Sequence, residues 1–457
     1  MNNLDSLSID NLKFAQAKME KAGVDPVAIN VFSKQYRAML IGQGGVINEL
    51  DIEPIKDLIS LDDIVVNDED AKNAIQKTVI IKLNGGLGTS MGLEKAKSLI
   101  KVRGELTFLD IIVRQIIIAR NLFNARLPLV FMDSLYTSDD TLEYLKKYPE
   151  LIIKDLPLDF LQNFVTKLRA DNLLPVDWPK NSSLEWAPPG HGDIYAVLWS
   201  SGLLKRLLDA DYEYMHVSNS DNLGAVPSAK LAGWFAKSGA PFAIEACRRT
   251  INDKKGGHLA IRKIDNQMIL RESAQTVKDD LDAFMDINKH QYFNSNNIWI
   301  NLPKLYEALA KSDGVLDLPF IQNFKSVDPT DPSTPPVIQL ESAMGSAIEK
   351  LEGATAIEVP RSRFLPVKTT NELLLVMSDI FNLSKDYSFS LKVDKIPAVK
   401  LDERYYRLIS DFNKRFSTIP SLIDLTSLSV DGDWVFDKSS KLVGDVELAD
   451  NGQQTVY

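Results

Sequence analysis

Thr78-Val79-Ile80-Ile81-Lys82-Leu83-Asn84 runs straight into Gly85-Gly86-Leu87-Gly88, and this stretch decides the fold. A short apolar run that ends in glycines reads as a buried parallel strand feeding a glycine loop. Outward from it the same alternation repeats. Thr107-Phe108-Leu109-Asp110 opens a helix capped by Thr107. Leu129-Val130-Phe131-Met132-Asp133 is the next strand, with a helix after Ser138. Tyr214-Met215-His216-Val217-Ser218 and Phe242-Ala243-Ile244-Glu245-Ala246 repeat the strand signal. Strands alternating with helices imply an α/β domain with a mixed, mainly parallel sheet. Ligands of such sheets sit at the carboxyl ends of the strands, where the glycines, Asn219 and Asp221 fall.

On the N-terminal side, residues 9–41 read helical. Leu12, Ala15 and Met19 stand at three-to-four spacing, and Asp25-Pro26 opens a second helix. An acidic connection from Leu61 to Asp70 follows. On the other side, the prolines and aspartates of residues 328–336 mark an exposed loop. The tail after about residue 390 is separate, with a helix around residues 405–416. Two later segments, 428–436 and 442–448, share an apolar, Gly-Asp, apolar pattern (Gly432-Asp433, Gly444-Asp445) that suggests coils of a small β-helix.

Composition bounds the partners. A chain of 457 residues holds about two to four domains, and 45% hydrophobic with 25% charged residues is the balance of a soluble globular protein. No run of about 18 apolar residues predicts a membrane span, and Met1-Asn2-Asn3-Leu4-Asp5 lacks the basic start of a secretory signal. The single cysteine, Cys247, excludes an intramolecular disulfide and suits a reducing compartment, so a cytoplasmic protein is expected. Net charge is −10, from 52 Lys+Arg against 62 Asp+Glu. That disfavours nucleic acid, whose binding needs many cationic contacts, but not small anions held by one lysine or by backbone N–H groups.

The segment 82–92 can bring backbone N–H groups close to a diphosphate. It is not a Walker A loop, which needs Gly, four residues and then Gly-Lys-Ser/Thr. The dinucleotide fingerprint fails too, because Gly86-x-Gly88 reaches its next glycine at Gly92, one residue late. Lys97 follows, placed to neutralise triphosphate oxygens as a point charge. In Pro188-Pro189-Gly190-His191-Gly192-Asp193 two prolines and two glycines frame one histidine that can donate hydrogen bonds to a sugar phosphate. Asp221 closes a strand at the expected position for Mg²⁺; a plain Asp turn closed by Asn222 and Gly224 is the other reading. Arg361, Arg363 and Lys368 stand ahead of a helix that starts near Thr370, either a phosphate clamp or a capped surface loop.

Together, 82–92, Gln162, 188–195, 218–224, Lys255-Gly256-Gly257, 293–299 and 360–370 resemble, in one order, the eukaryotic-type UTP–glucose-1-phosphate uridylyltransferase family. The similarity spans most of residues 75–385. It implies a small helical part (1–75), a Rossmann-like catalytic domain of the nucleotide-diphospho-sugar transferase, GT-A type (76–385), and a C-terminal domain with a short left-handed β-helix (386–457). It further implies that the backbone at Leu83, Gly85 and Gly86 cradles uridine and its phosphates, that Lys97 meets the triphosphate, and that Gln162 and Gly190 read the uracil edge. His191 and Lys368 would bind phosphoryl oxygens, Asp221 would hold Mg²⁺, and Asn219, Gly257, Glu272 and Asn296 would line the glucose pocket. Ala96 stands where the family usually has proline, and Thr166 where a proline often follows the glutamine. The tail to Tyr457 is shorter than the β-helix through which relatives self-associate, so a monomer or weak oligomer is expected.

The implied reaction joins UTP and glucose 1-phosphate into UDP-glucose and pyrophosphate. Its nucleophile is a phosphate oxygen already anionic near neutral pH, so no nucleophile–base triad is expected, and Lys97, Lys368 and Asp221 are the catalytic candidates. Two rivals remain. Against UDP-N-acetylglucosamine or broad UDP-sugar chemistry, Gly190-His191-Gly192-Asp193 argues for glucose, since N-acetylhexosamine relatives tend to lack this histidine and aspartate; a silent nucleotide-sugar-binding protein would have lost one of Lys97, His191, Asp221 or Lys368.

Overall fold

Thr78–Leu83 is a strand in the computed structural model, which describes residues 4–42, 45–250 and 253–457. Its first five residues are buried, including Lys82, whose Nζ donates to Ser218 Oγ at 2.8 Å and to the Ala225 carbonyl at 3.2 Å. A lysine is tolerated in an apolar run when its donors are matched in this way.

The chain forms two compact units. One takes in Met1–Val79, Phe160–Val217 and Lys230–Val359; the other takes in Ile80–Asp159, Ser218–Ala229 and Pro360–Tyr457.

In the second unit, residues 80–83 pair in parallel with the buried Leu129–Asp133 strand, Ile80 opposite Leu129 and Leu83 opposite Met132. The helix between them, Phe108–Phe123, starts where expected. Thr107 and Asp110 form a reciprocal capping box, and Asn124 ends the helix in the left-handed conformation. In the tail, Ala398–Lys400, Leu425–Val430 and Gly444–Leu448 pair in parallel, as do Trp434–Val435 and Thr455–Val456. The Phe416 and Phe436 rings stack at 4.6 Å. The helix expected around residues 405–416 is two pieces, Glu403–Tyr406 and Ile409–Arg415, because Leu408 between them is extended.

In the first unit, the helices Leu4–Lys21 and Pro26–Leu40 are separated where Asp25 caps the second by accepting the Val27 N–H. Leu12, Ala15 and Met19 face Leu168, Ile338 and Leu340, a stripe whose burial is worth about 1.5–3 kcal/mol for each large side chain. The sheet is mixed. Phe242–Arg248 runs parallel to Thr355–Glu358 and antiparallel to Tyr292–Asn301. The hairpin His258–Arg262 with Gln267–Arg271 is antiparallel, and so are the pairings of Tyr292–Asn301 with Tyr214–Asn219 and of His258–Arg262 with Ile52–Pro54. Parallel pairing is seen at Thr78–Leu83 with Leu129–Asp133 and at Phe242–Arg248 with Thr355–Glu358. The loop at 328–335 joins the antiparallel strands Phe320–Ser326 and Pro336–Ser342. Among the described residues, no helix is long and apolar enough to cross a membrane.

Candidate active site

In the second unit, the glycine loop folds back on itself. Lys97 N–H donates to the Gly86 carbonyl at 3.2 Å, and Leu87 bridges Ala96. A Cβ on Gly86 would meet nothing within 4 Å, so the space in front of that backbone is open to a ligand. The return places Lys97 Nζ at 2.7 Å from Asp221 Oδ2. Asp221 Oδ1 is buried and, among the described residues, has no hydrogen-bond partner. One carboxylate oxygen thus holds a cation while the other is left with an open valence.

The Asp221 turn is laced to the 360–370 loop. Asn222 Oδ1 accepts the Leu365 N–H at 2.8 Å, Nδ2 donates to the Arg363 carbonyl at 3.1 Å, and Val367 N–H donates to the Asp221 carbonyl at 3.3 Å. This lacing carries Lys368 to the start of the helix Thr370–Met377, whose cap is the Thr369–Glu372 box. Lys368 is exposed and borders a cavity of about 250 Å³ together with Met91, Asn371 and Arg407. The sequence pointed to Asn222 only as a turn residue; its bonds to Leu365 and Arg363, some 140 residues away, carry no local signal.

In the first unit, Gln162 and the 188–195 loop come together. Asn163 donates to Asp193 through its N–H at 2.7 Å and its side chain at 2.9 Å. Burial pushes the Asp193 carboxyl up to about 6 against those bonds. Gly190 has φ +82°, and a Cβ there would collide with the Ser342 carbonyl, so only glycine fits. His191 Nδ1 accepts the Met344 N–H at 2.9 Å, which assigns the ring proton to Nε2. Burial lowers its pKa to about 4, so near neutrality His191 is an uncharged donor. Asp193, Asn163 and Met344 are the supporting residues that sequence reasoning did not assign.

The expected sugar residues of this unit also converge. A Cβ on Gly257 would lie 2.5 Å from Glu272 Oε2, so the carboxylate sits directly over that glycine. Asn294 N–H donates to the Gly257 carbonyl at 3.1 Å, and its side chain donates to Asn296 Oδ1 at 2.9 Å. The ladder slips at this point: Glu245 pairs with Asn297 but Ala246 with Asn294. The bulge forces Asn296 to φ +57° and re-aims its side chain. Underneath, buried Glu245 accepts from Trp299 Nε1 at 2.9 Å and from Asn297 Nδ2 at 3.1 Å, which holds the bulge in place. Asn219 ends the Tyr214–Asn219 strand and belongs to the Asp221 unit, where its carbonyl accepts the Asn222 N–H at 3.2 Å.

The family model described as UTP–glucose-1-phosphate uridylyltransferase matches residues 29–443. A UTP–glucose-1-phosphate uridylyltransferase of Solanum tuberosum is 39% identical over 386 residues, covering 83% of this chain and 78% of that protein. One of Saccharomyces cerevisiae is 40% identical, covering 81% and 74%. A mutant UDP-glucose pyrophosphorylase of Leishmania major, solved in complex with UDP-glucose, superposes with a TM-score of 0.91 at 39% identity over 98% of this chain and 96% of that one.

Proposed function

The chain belongs to the UTP–glucose-1-phosphate uridylyltransferase family, and from that premise we infer how its residues share the work. The reaction is UTP plus glucose 1-phosphate to UDP-glucose plus pyrophosphate. A phosphate oxygen of the sugar phosphate attacks the α-phosphorus of UTP in line. A new P–O bond forms, the bond from the α-phosphorus to the β-phosphate oxygen breaks, and its electron pair leaves with pyrophosphate. The attacking oxygen is already anionic, so positioning and charge neutralisation do the work.

Asp221 carries this reading. Its buried, unpartnered Oδ1 beside the Lys97–Asp221 pair fits a Mg²⁺ site of one carboxylate completed by water and substrate phosphates. Among the described residues no cluster of three or more His, Cys, Asp or Glu could form an all-protein cage, which agrees with a site of that kind. When bound, Mg²⁺ would supply charge neutralisation at the reacting phosphates. Lys97 and Lys368 supply the protein's share, and His191 donates its Nε2–H to a phosphoryl oxygen. Gln162 and Gly190 read the uracil edge, with the backbone of Leu83, Gly85 and Gly86 against the nucleotide. Gly257, Glu272, Asn296 and Asn219 hold the glucose.

We read residues 76–385 as a nucleotide-diphospho-sugar transferase domain of GT-A type, after a helical part (1–75). The parallel pairing of Leu425–Val430 with Gly444–Leu448 and of Trp434–Val435 with Thr455–Val456 supports a short left-handed β-helix within 386–457. A single, buried Cys247 supports a cytoplasmic enzyme.

The test follows ³¹P resonances of UTP or CTP mixed with glucose 1-phosphate and Mg²⁺. UDP-glucose and pyrophosphate should form in equal amounts from UTP, and CTP should react far more slowly. No product from UTP sinks the assignment, and equal rates with CTP sink the base-reading role of Gln162 and Gly190.

A further inference from the structure

Glu49 lies outside every motif that carries the reaction, in a short turn just before the Ile52–Pro54 strand. Its carboxylate is nevertheless a meeting point. Oε2 accepts from Arg271 Nη1, while Oε1 stands 2.8 Å from Lys289 Nζ and 2.9 Å from His290 Nε2. The Glu49 N–H donates to Asp280 Oδ2 at 2.7 Å, the same oxygen that takes Arg271 Nη2 at 3.1 Å. Arg271 is wholly buried, where an unneutralised charge is costly. Burial pushes the Glu49 carboxyl up, but the hydrogen bonds from Lys289 and His290 prevail and hold it at about 2. Glu49 is therefore a permanent anion, not a pH switch.

The groups it holds flank the sugar residues on both sides. Arg271 ends the Gln267–Arg271 strand, and the next residue is Glu272; alternation along a strand sends the two side chains to opposite faces. Lys289 and His290 stand just ahead of Tyr292–Asn301, the strand that carries Asn294 and the bulged Asn296. The His290 ring stacks on His258 at 3.9 Å, and His258 is both the neighbour of Gly257 and the register partner of Arg271. One carboxylate thus ties together the strand end that presents Glu272 and the loop that launches Asn296.

We propose that Glu49 is a positioning residue for glucose 1-phosphate: by fastening Arg271, Lys289 and His290 to one anion it sets the spacing of Glu272 and Asn296 across Gly257. This rests on the reading of Gly257, Glu272 and Asn296 as the sugar pocket. Glu49 touches no substrate, so its loss should act on sugar affinity and leave the nucleotide side alone.

The experiment measures initial rates of pyrophosphate release for Glu49→Gln, Glu49→Asp, Lys289→Met and Glu272→Gln, varying each substrate in turn. Glu49→Gln should raise KM for glucose 1-phosphate about tenfold with KM for UTP within about twofold, and Glu49→Asp should recover part of the loss. Lys289→Met removes the half-exposed arm of the clamp, so it reports even if Glu49→Gln does not fold, and should raise sugar KM severalfold. A parallel rise in both KM values, or a fall in kcat with both unchanged, overturns the proposal. So does an unchanged sugar KM in a folded Glu49→Gln, or in Lys289→Met if Glu49→Gln fails to fold. Glu272→Gln separates the two levels: if it leaves sugar KM untouched the pocket reading itself is wrong, and if it raises KM while Glu49→Gln does not, only the positioning role falls.

Discussion

Asp133→Asn should stabilise the enzyme at pH 8 far more than at pH 5. Asp133 is fully buried at the end of the Leu129–Asp133 strand. Its Oδ1 accepts from Asn84 Nδ2 at 2.7 Å, Thr137 Oγ1 at 3.0 Å and Thr141 Oγ1 at 3.2 Å, while Oδ2 has no partner among the described residues. Burial raises the carboxyl to about 7, against the lowering effect of Asn84 and Thr137 and with some help from the charge of Asp159. The sign follows from linkage. With the folded pKa above the unfolded 3.8, the stability contribution is complete below pH 3.8 and is lost as pH rises through about 7. At about 1.4 kcal/mol per pH unit, the wild type gives up about 4 kcal/mol by pH 8 and under half of that by pH 5. An amide escapes this loss. Its Oδ1 keeps the three acceptor bonds, and its NH₂ is left unmatched where Oδ2 was, a constant cost of about 1–3 kcal/mol. The constant cancels in the comparison between pH values, leaving a difference of about 2–3 kcal/mol in the mutant's relative stability. For a cooperative unit of about 200 residues this is roughly 5–10 °C in melting temperature. Calorimetric melting of wild type and mutant at pH 5 and pH 8 reads it directly. A relative shift that does not change with pH would refute the argument, since it would mean that Asp133 is never a buried carboxylate at pH 8.

Lys368→Ala should cut turnover by orders of magnitude with the melting temperature unchanged, because Lys368 is exposed; normal turnover in the folded mutant would remove its role. Asp221→Asn should shift the Mg²⁺ titration of the rate to higher concentration, and an unshifted curve would count against Asp221 as the metal contact. His191 should show, by ¹⁵N shifts, a neutral ring protonated at Nε2 throughout pH 6–8 and titrating only near 4, since burial disfavours its cation. A midpoint near 6.5 would contradict the neutral, half-buried donor.

The local signals read well because their physics is local. Strand Thr78–Leu83, the Thr107–Asp110 capping box and the Asp25 cap depend on residues at most a few positions apart. The resemblance brought the sugar residues onto one list, but not the reason Asn296 points where it does. That reason is a bulge opposite Glu245, and register against a strand some 50 residues away leaves no mark in the local pattern. Glu49 was silent for the same cause: one glutamate outside every motif looks solvated until Arg271, Lys289 and His290 are folded onto it. The break at Leu408 was missed because neither glycine nor proline announces it.

Pyrophosphate release from UTP across a panel of sugar 1-phosphates, with and without Mg²⁺, tests the central claim most directly. The account predicts release confined to glucose 1-phosphate and dependent on Mg²⁺. Release from N-acetylglucosamine 1-phosphate where glucose 1-phosphate fails, or no release from a folded protein that binds UDP-glucose, would contradict it.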